Sequence, residues 1–381
     1  MSNGKIHLVL SGLPLANPHV GQGVYTFRLI SALARRADIN FAIVARPDVD
    51  LPKGLPRDKF IFLPKARTPK HDLLAQIFWS ERLLRFVARE FSNAVFHSPG
   101  PISGTCRPNR TLVTLHDCIY RRFPRYTGRF FVRRLFLRST ERFAARSSMV
   151  LTDSEFSKKE LITQARIPAQ RIDVLYPWVG SEYLQPISNT DIALIKRKLN
   201  LPERFWLYVG GYDYRKNIEF LLRAYAEANK KHRLPPLVLA GQIPPFTRAT
   251  CDVYGTLKDI ALCDDQILLP GPISETDLPM LYRAASLFIF PSLMEGFGLP
   301  PAEAMAVGAP VLVSNKASLP EVVQTARCLF DPQGHDALVE KLLAAAENEG
   351  QFSAGLSPNF TEAYGVSRYL DLINGINEGR N

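Results

Sequence analysis

Short apolar runs alternate with longer stretches of helical period along almost the whole chain. In the first half the runs are residues 5–10, 41–44, 94–97, 110–115, 149–154 and 171–176. Their length and the turn residues around them predict strands. Between them, residues 24–36 set Phe27, Ile30, Leu33 and Ala34 on one face, and 73–91 and 155–164 keep a helical pattern. Residues 177–189 are polar, rich in turn formers and without a period, which marks a boundary. Residues 190–199 predict a short linker helix. The alternation then restarts, with strands at 206–209, 237–240, 266–269, 285–290 and 310–314 and helices at 218–230, 275–284 and 334–349. Strands and helices in alternation on short connections make parallel sheets covered on both faces. The pattern runs twice. The expected fold class is therefore α/β, with two doubly wound domains, residues 1–184 and 190–360, and ligands at the carboxyl ends of the strands.

Composition changes this picture little, and charge changes it more. The chain has 381 residues, 46% of them hydrophobic, enough for a packed core in two or three domains and against disorder. Five cysteines lie scattered, with no CxxC spacing, which suggests neither a zinc site nor a disulfide framework and fits a reducing cytoplasm. The first apolar run is too short for a signal peptide, and no run nears the ~20 apolar residues that span a bilayer. The net charge is +11, and residues 121–146 hold nine arginines against one glutamate, a local +8. Within the helical stretch 128–146, Arg134, Arg138 and Arg142 recur every four residues, with Phe123, Tyr126, Phe130, Phe131 and Phe136 interleaved nearby. Such a surface suits an anionic membrane or single-stranded nucleic acid; it can also be a plain solvated face.

The densest chemistry lies in Pro291-Ser-Leu-Met-Glu-Gly-Phe-Gly-Leu-Pro-Pro-Ala-Glu303. A strand leads into a glycine loop, and Pro300 and Pro301 then open a helix, where a missing N–H costs little. A helix start offers backbone N–H groups to anions, and Glu295 and Glu303 bracket it. Phosphate donors beside carboxylates suit a ligand with both phosphates and hydroxyls, such as a nucleotide sugar. Arg215 and Lys216, just beyond the turn Gly210-Gly211, can neutralise a diphosphate. His116-Asp117 ends a strand, where ligands of α/β sheets bind. His97 reads instead as a hydrogen-bonded core histidine. Gly21-Gln-Gly23 is a fragment of a dinucleotide fingerprint in a loop before the first helix. Asp48-Val-Asp50 sits in a proline-rich loop and reads as solvated charge rather than a metal site.

Gly21-Gln-Gly23, His116-Asp117, Thr152-Asp-Ser154, Val209-Gly-Gly with Arg215-Lys-Asn217, Glu295-Gly-Phe-Gly-Leu-Pro-Pro-Ala-Glu303 and Ser318-Leu-Pro-Glu321 occur in the order in which family 4 of the retaining glycosyltransferases carries its motifs. Seven residues separate the two glutamates, as in the family pattern. The chain resembles that family over nearly its whole length. The resemblance implies the GT-B fold, two Rossmann-like domains facing across a cleft, with a terminal helix in 361–381 crossing back to the first, acceptor-binding domain. It implies a retaining, metal-independent hexosyltransferase without a cofactor. The hexose would pass from a UDP-glucose or GDP-mannose type donor to a glycan or lipid-linked acceptor in cell-surface polysaccharide synthesis; frequency alone favours a UDP-hexose. Residue by residue, it implies His116 and Glu295 as catalytic groups. The diphosphate would meet Gly21, Gly23, Arg215, Lys216, Gly298 and Leu299. The sugar would meet Glu295, Gly296, Phe297 and Gly298, and the ribose Glu303. Many relatives carry a basic residue where this chain has Gly211, which shifts more of the diphosphate to Arg215 and Lys216. The arginine helix adds an expected contact with the anionic inner membrane surface through Arg129, Arg133, Arg134, Arg138 and Arg142, and so a cytoplasmic, peripherally bound location. Two other readings compete: a sugar-nucleotide epimerase or hydrolase on the same fold, and a non-catalytic nucleic-acid binder. The set Glu295, Glu303, Lys216 and His116 speaks against the second, since a pure binder has no use for it.

Overall fold

The structure is a computed structural model that describes residues 7–17, 21–69, 72–124, 131–260, 262 and 265–378. The chain divides into two compact units. Met1–Cys118, Arg129–Pro177 and Glu362–Asn381 form one, and Ile119–Gly128 and Trp178–Thr361 form the other. In chain order the first half runs β1 (Leu8–Ser11), α1 (Gly21–Ala34), β2 (Phe41–Ala45), β3 (Phe60–Phe62), α2 (Asp72–Glu90), β4 (Val95–Ser98), β5 (Arg110–Thr114), α3 (Ile119–Arg122), α4 (Phe131–Ala144), β6 (Met149–Thr152), α5 (Glu155–Thr163) and β7 (Ile172–Val174). The second half runs α6 (Asn189–Lys198), β8 (Trp206–Val209), α7 (Ile218–Lys231), β9 (Leu237–Ala240), α8 (Val253–Ile260), β10 (Ile267–Gly271), α9 (Leu278–Ala284), β11 (Leu287–Phe290), α10 (Leu299–Ala306), β12 (Val311–Ser314), α11 (Leu319–Val322), β13 (Leu329–Phe330), α12 (His335–Glu347) and α13 (Glu362–Asn377).

Each unit holds one wholly parallel sheet. The orders are β3-β2-β1-β4-β5-β6-β7 and β10-β9-β8-β11-β12-β13. The central strands are buried on both faces, which is why Leu287-Phe-Ile-Phe290 and Leu237-Val-Leu-Ala240 read as unbroken apolar runs. Strand order reverses between β1 and β4 in one sheet and between β8 and β11 in the other. Ligands of open α/β sheets bind at such switch points, outside the carboxyl ends. Two helices start on side-chain caps. Ser154 accepts from the Ser157 amide to open α5, and Ser188 and Asp191 form a capping box at α6.

The terminal helix α13 belongs to the first unit, where Tyr369 is fully buried, Arg35 pairs with Glu362 and Arg368 with Asp173. The expected end of the first domain at 184 moves to Pro177. Trp178 is buried in the second unit, the Val179 amide donates to the Phe360 carbonyl at 3.1 Å, and Tyr183 packs on Tyr282. The helix expected as a linker, α6, is docked there too, by buried Ile195 and a Lys198–Asp277 pair at 2.6 Å. Residues 119–124, expected in the first domain, group with the second unit, Phe123 lying 5.3 Å from Tyr214 between ring centroids. Gly21 and Gly23 open α1 as its first turn rather than lying in the loop before it. Strands β3 and β13 and helices α3 and α8 are additions to the expected elements. Among the described residues, no helix is long and apolar enough to cross a membrane.

Candidate functional site

In the second unit, the two strands flanking the switch point deliver the charged residues. After β8, a 3₁₀ turn over Tyr214–Lys216 ends at Asn217 in the left-handed conformation (φ 61°), which asparagine tolerates, and its side chain is tied to the Pro332 carbonyl at 2.9 Å. After β11, the loop that carries Glu295 is tied to this turn, the Leu293 amide donating to the Arg215 carbonyl at 2.7 Å. Lys216 Nζ donates to Glu295 Oε1 at 2.7 Å, and Arg215 Nη1 to Glu295 Oε2 at 2.7 Å and to the Met294 carbonyl at 2.8 Å. Arg215 Nε lies 2.9 Å from Asp213, and the Lys216 ammonium lies 4.9 Å from the Phe290 ring centroid. All three central residues are 8% exposed, so each charge depends on the others. Burial pushes the Glu295 carboxyl upward, but Arg215 and then Lys216 outweigh it and hold it at about 2. Burial raises Asp213 above the ordinary carboxylate value, against the pull of Arg215.

The loop beyond Glu295 is shaped by Gly298 and Ser318. Gly298 caps α10 at φ 116°, and a Cβ there would come 2.7 Å from Leu319 Cδ2, so the position excludes side chains twice over. The Ser318 hydroxyl lies 3.0 Å from the Glu295 carbonyl and 2.7 Å from that of Phe297. Phe297 is buried edge-on against Phe360. Pro300 and Pro301 carry no N–H, so the anion-binding capacity of this helix start rests on the amides of Gly298 and Leu299. Glu303, 8% exposed, sits one turn on, and its charge, after burial, raises the neighbouring Tyr282 hydroxyl well above its ordinary pKa.

In the first unit, His116 follows β5 and Asp153 follows β6. His116 Nδ1 lies 2.9 Å from Asp153 Oδ2, and Nε2 lies 3.2 Å from the Pro99 carbonyl, just after β4. Both partners are acceptors when Asp153 is ionised, so the imidazolium, with two N–H groups, satisfies them together. Burial lowers the His116 pKa, but Asp153 outweighs it and the net direction is upward. Tyr25, one turn into α1 from Gly21 and Gly23, packs edge-on against His116 at 5.0 Å. His97 is the core histidine expected. Its Nδ1 lies 2.8 Å from the Tyr369 hydroxyl and its Nε2 2.9 Å from Thr114 Oγ1, and burial brings its pKa down to about 3.

The structure thus brings Arg215, Lys216 and Glu295 together with Gly296, Phe297, Gly298, Leu299 and Glu303 in one unit, and His116 with the first turn of α1 in the other. Arg133, Arg134, Arg138 and Arg142 are exposed on α4; Arg129 lies outside the described residues. Asp48 pairs with Arg46 at 2.6 Å, as solvated loop charge should. Sequence alone assigns no role to Asp153, Asp213 or Ser318. Adjacency of β5 and β6 is the missing signal for Asp153, since only strand order places it beside His116.

Comparison with known proteins agrees with this geometry. Residues 191–362 match the family described as glycosyl transferases group 1, and residues 20–183 match Glycosyltransferase Family 4. The O-antigen chain mannosyltransferase B of Escherichia coli is 33% identical over 263 residues, 68% of this chain and 67% of that one. A serotype-specific mannosyltransferase of the same organism is 34% identical over 60% of this chain, which spans only 28% of that longer protein. The solved sucrose-phosphate synthase of Thermosynechococcus elongatus superposes with a TM-score of 0.68 over 99% of this chain and 97% of its own at 20% identity, a likeness of fold. Two parallel α/β units in this order, with both halves matched and a third of the residues shared with a relative over two thirds of its length, place the chain in family 4 of the glycosyltransferases, with the GT-B fold.

Proposed function

We propose that the protein moves a mannosyl group from GDP-mannose, with retention of anomeric configuration, to a glycan or lipid-linked acceptor of a cell-surface polysaccharide. The observation that carries the donor half is the pair of buried cations, Arg215 and Lys216, gathered on one carboxylate at the switch point between β8 and β11. Two relatives named as mannosyltransferases favour mannose over the UDP-hexose that frequency alone suggests.

A bound diphosphate would take over hydrogen bonds that Arg215 and Lys216 now give to Glu295. The freed carboxylate would accept from sugar hydroxyls. Gly298 and Leu299 amides would serve the phosphates, with Gly21 and Gly23 as further donors. The Gly296 and Phe297 amides would serve the sugar, and Glu303 the ribose. Negative charge develops on the departing diphosphate, and these fixed cations and amides would stabilise it without a metal or cofactor. The leaving phosphate oxygen would take the acceptor's proton on the same face, and His116 would act on the sugar. The arginines of α4 would hold the protein to an anionic inner membrane surface.

A thermal-shift comparison of GDP with UDP, followed by NMR of the transferred product, tests this. GDP should stabilise more than UDP, and the product should keep the donor's configuration. Preference for UDP or an inverted product would refute the corresponding part, and equal donor consumption without acceptor would favour a hydrolase.

A further inference from the structure

The first unit holds a cavity that the transfer reading does not use. Its volume is about 210 Å³, and Ser103, Thr105, Arg107, Ser139, Arg142 and Arg146 supply its polar lining. It lies where the loop before β5 meets the last turn of α4, toward the amino ends of β5 and β6. His116 and Asp153 follow the carboxyl ends of those strands, so the cavity is a separate place in the same unit.

Its wall is built. Glu81 of α2 accepts from both the amide and the hydroxyl of Thr105 at 2.7 Å, and Arg107 Nη1 donates to the Arg146 carbonyl at 2.8 Å. A Cβ at Gly104 would meet the side-chain ends of Leu84 and Glu81, which would have to shift. The Ser139 hydroxyl donates to the Phe136 carbonyl at 2.7 Å, so in its 2.6 Å contact with Ser103 the donor is Ser103, itself buried. That proton can be re-aimed at a ligand.

Three other arginines of this unit are paired with acids: Arg36 with Asp38, Arg46 with Asp48, Arg85 with Glu81. Among the described residues, no carboxylate pairs with Arg107, Arg142 or Arg146. The carbonyls at the end of α4 draw cations there, and one such carbonyl uses one of the five N–H groups of Arg107. The remaining fork geometry matches phosphate oxygens.

We propose that this cavity binds a phosphate group, through Arg107, Arg142, Arg146 and the Ser103 hydroxyl, and anchors the arginine face of α4 at one point. The phosphate can belong to a lipid headgroup or be free. The phosphate chemistry stands apart from the choice of sugar; the lipid source rests on the proposed membrane contact.

The test compares two double variants of the full chain with equal charge loss, R142Q/R146Q in the cavity and R134Q/R138Q on the same helix outside it. Inorganic phosphate is titrated by calorimetry at constant ionic strength, with chloride as control, and vesicles of phosphatidylcholine with or without phosphatidic acid are assayed by flotation. R142Q/R146Q should weaken phosphate binding by roughly tenfold, and R134Q/R138Q should leave it unchanged. If the phosphate is a headgroup, the cavity pair should also lose more binding to the phosphatidic acid vesicles, and inorganic phosphate should compete. Phosphate binding by the cavity pair's arginines without any vesicle difference assigns the site to free phosphate. Equal phosphate affinity in both variants and the parent overturns the proposal. Equal vesicle losses in the two variants, with that result, leave a diffuse basic face; no vesicle loss in either refutes the membrane contact separately.

Discussion

Lys216 and Glu295 form a 2.7 Å ion pair in which the carboxylate shares its other oxygen with Arg215, and all three side chains are almost sealed from water. A buried charge stripped of its partner is costly, about 3–5 kcal/mol. Glu295→Gln keeps the shape and removes the charge. The variant should lose several degrees of Tm without ligand, and GDP should restore more of that loss than it adds to the parent, because the diphosphate replaces the missing anion. Transfer should fall sharply. Thermal shift with and without GDP checks this; an equal GDP increment in both proteins would show that Arg215 and Lys216 do not meet the diphosphate.

The same carboxylate sets an acid limit. Glu295 is held at about 2 against an ordinary 4.5, so its contribution is present above 4.5 and is lost as pH falls through the folded value. That depression corresponds to about 3 kcal/mol. Denaturant unfolding from pH 7 to pH 3 should show a fall in stability that is smaller by about 2 kcal/mol in Glu295→Gln, since the remainder is lost only as pH approaches the folded value. Parallel pH profiles in the two proteins would contradict the assignment.

Much of the fold and of the donor site is legible in the sequence because parallel sheets advertise themselves. The runs ending at Val209 and Phe290 are buried on both faces, and the residues after each, at the carboxyl end, are charged or glycine-rich. That places Arg215, Lys216 and the glycine loop. Spacing cannot show that the cations and Glu295 bond to one another, since about eighty residues separate them and only strand order makes their loops neighbours. It also hides Asp153 and the move of 119–124 into the second unit, which depends on Phe123 reaching Tyr214. Strands as short as Phe60–Phe62 and Leu329–Phe330 leave too few positions for a period to register.

His116 and Asp153 predict a pH dependence of the opposite sign. The folded pKa of His116 is raised, so the pair's contribution is complete below the ordinary 6.5 and is lost as pH rises through the folded value. Asp153→Asn should bring the histidine pKa down, seen in its imidazole proton shifts by NMR, and should remove the fall in stability on the alkaline side. An unmoved titration would separate His116 from Asp153.

Tyr369 couples the terminal helix to this corner of the first unit. Its hydroxyl meets neutral His97, and His97 meets Thr114 at the end of β5, two residues before His116. Tyr369→Phe leaves one buried imidazole nitrogen without its partner, at about 1–3 kcal/mol. If the chain of bonds positions His116, the variant should also lose kcat with donor KM unchanged, and the His116 titration should shift. Lost stability with kcat and titration intact would mean that Tyr369 only packs α13.

Gly298 offers the sharpest separation of backbone from side-chain chemistry. Gly298→Ala adds one methyl group at φ 116°, facing Leu319 Cδ2, and strain of this kind costs about 1–3 kcal/mol. The loop relieves it by turning away, which carries the Gly298 and Leu299 amides off their line while Arg215, Lys216 and Glu295 keep their mutual bonds. GDP affinity should therefore drop by about tenfold, the value of one amide hydrogen bond to a charged group, and the acid unfolding profile governed by Glu295 should stay as in the parent. Calorimetric titration with GDP measures the first and denaturant unfolding at low pH the second. Full GDP affinity in this variant would take the amides of this helix start out of the donor site and shift more of the diphosphate onto the two cations.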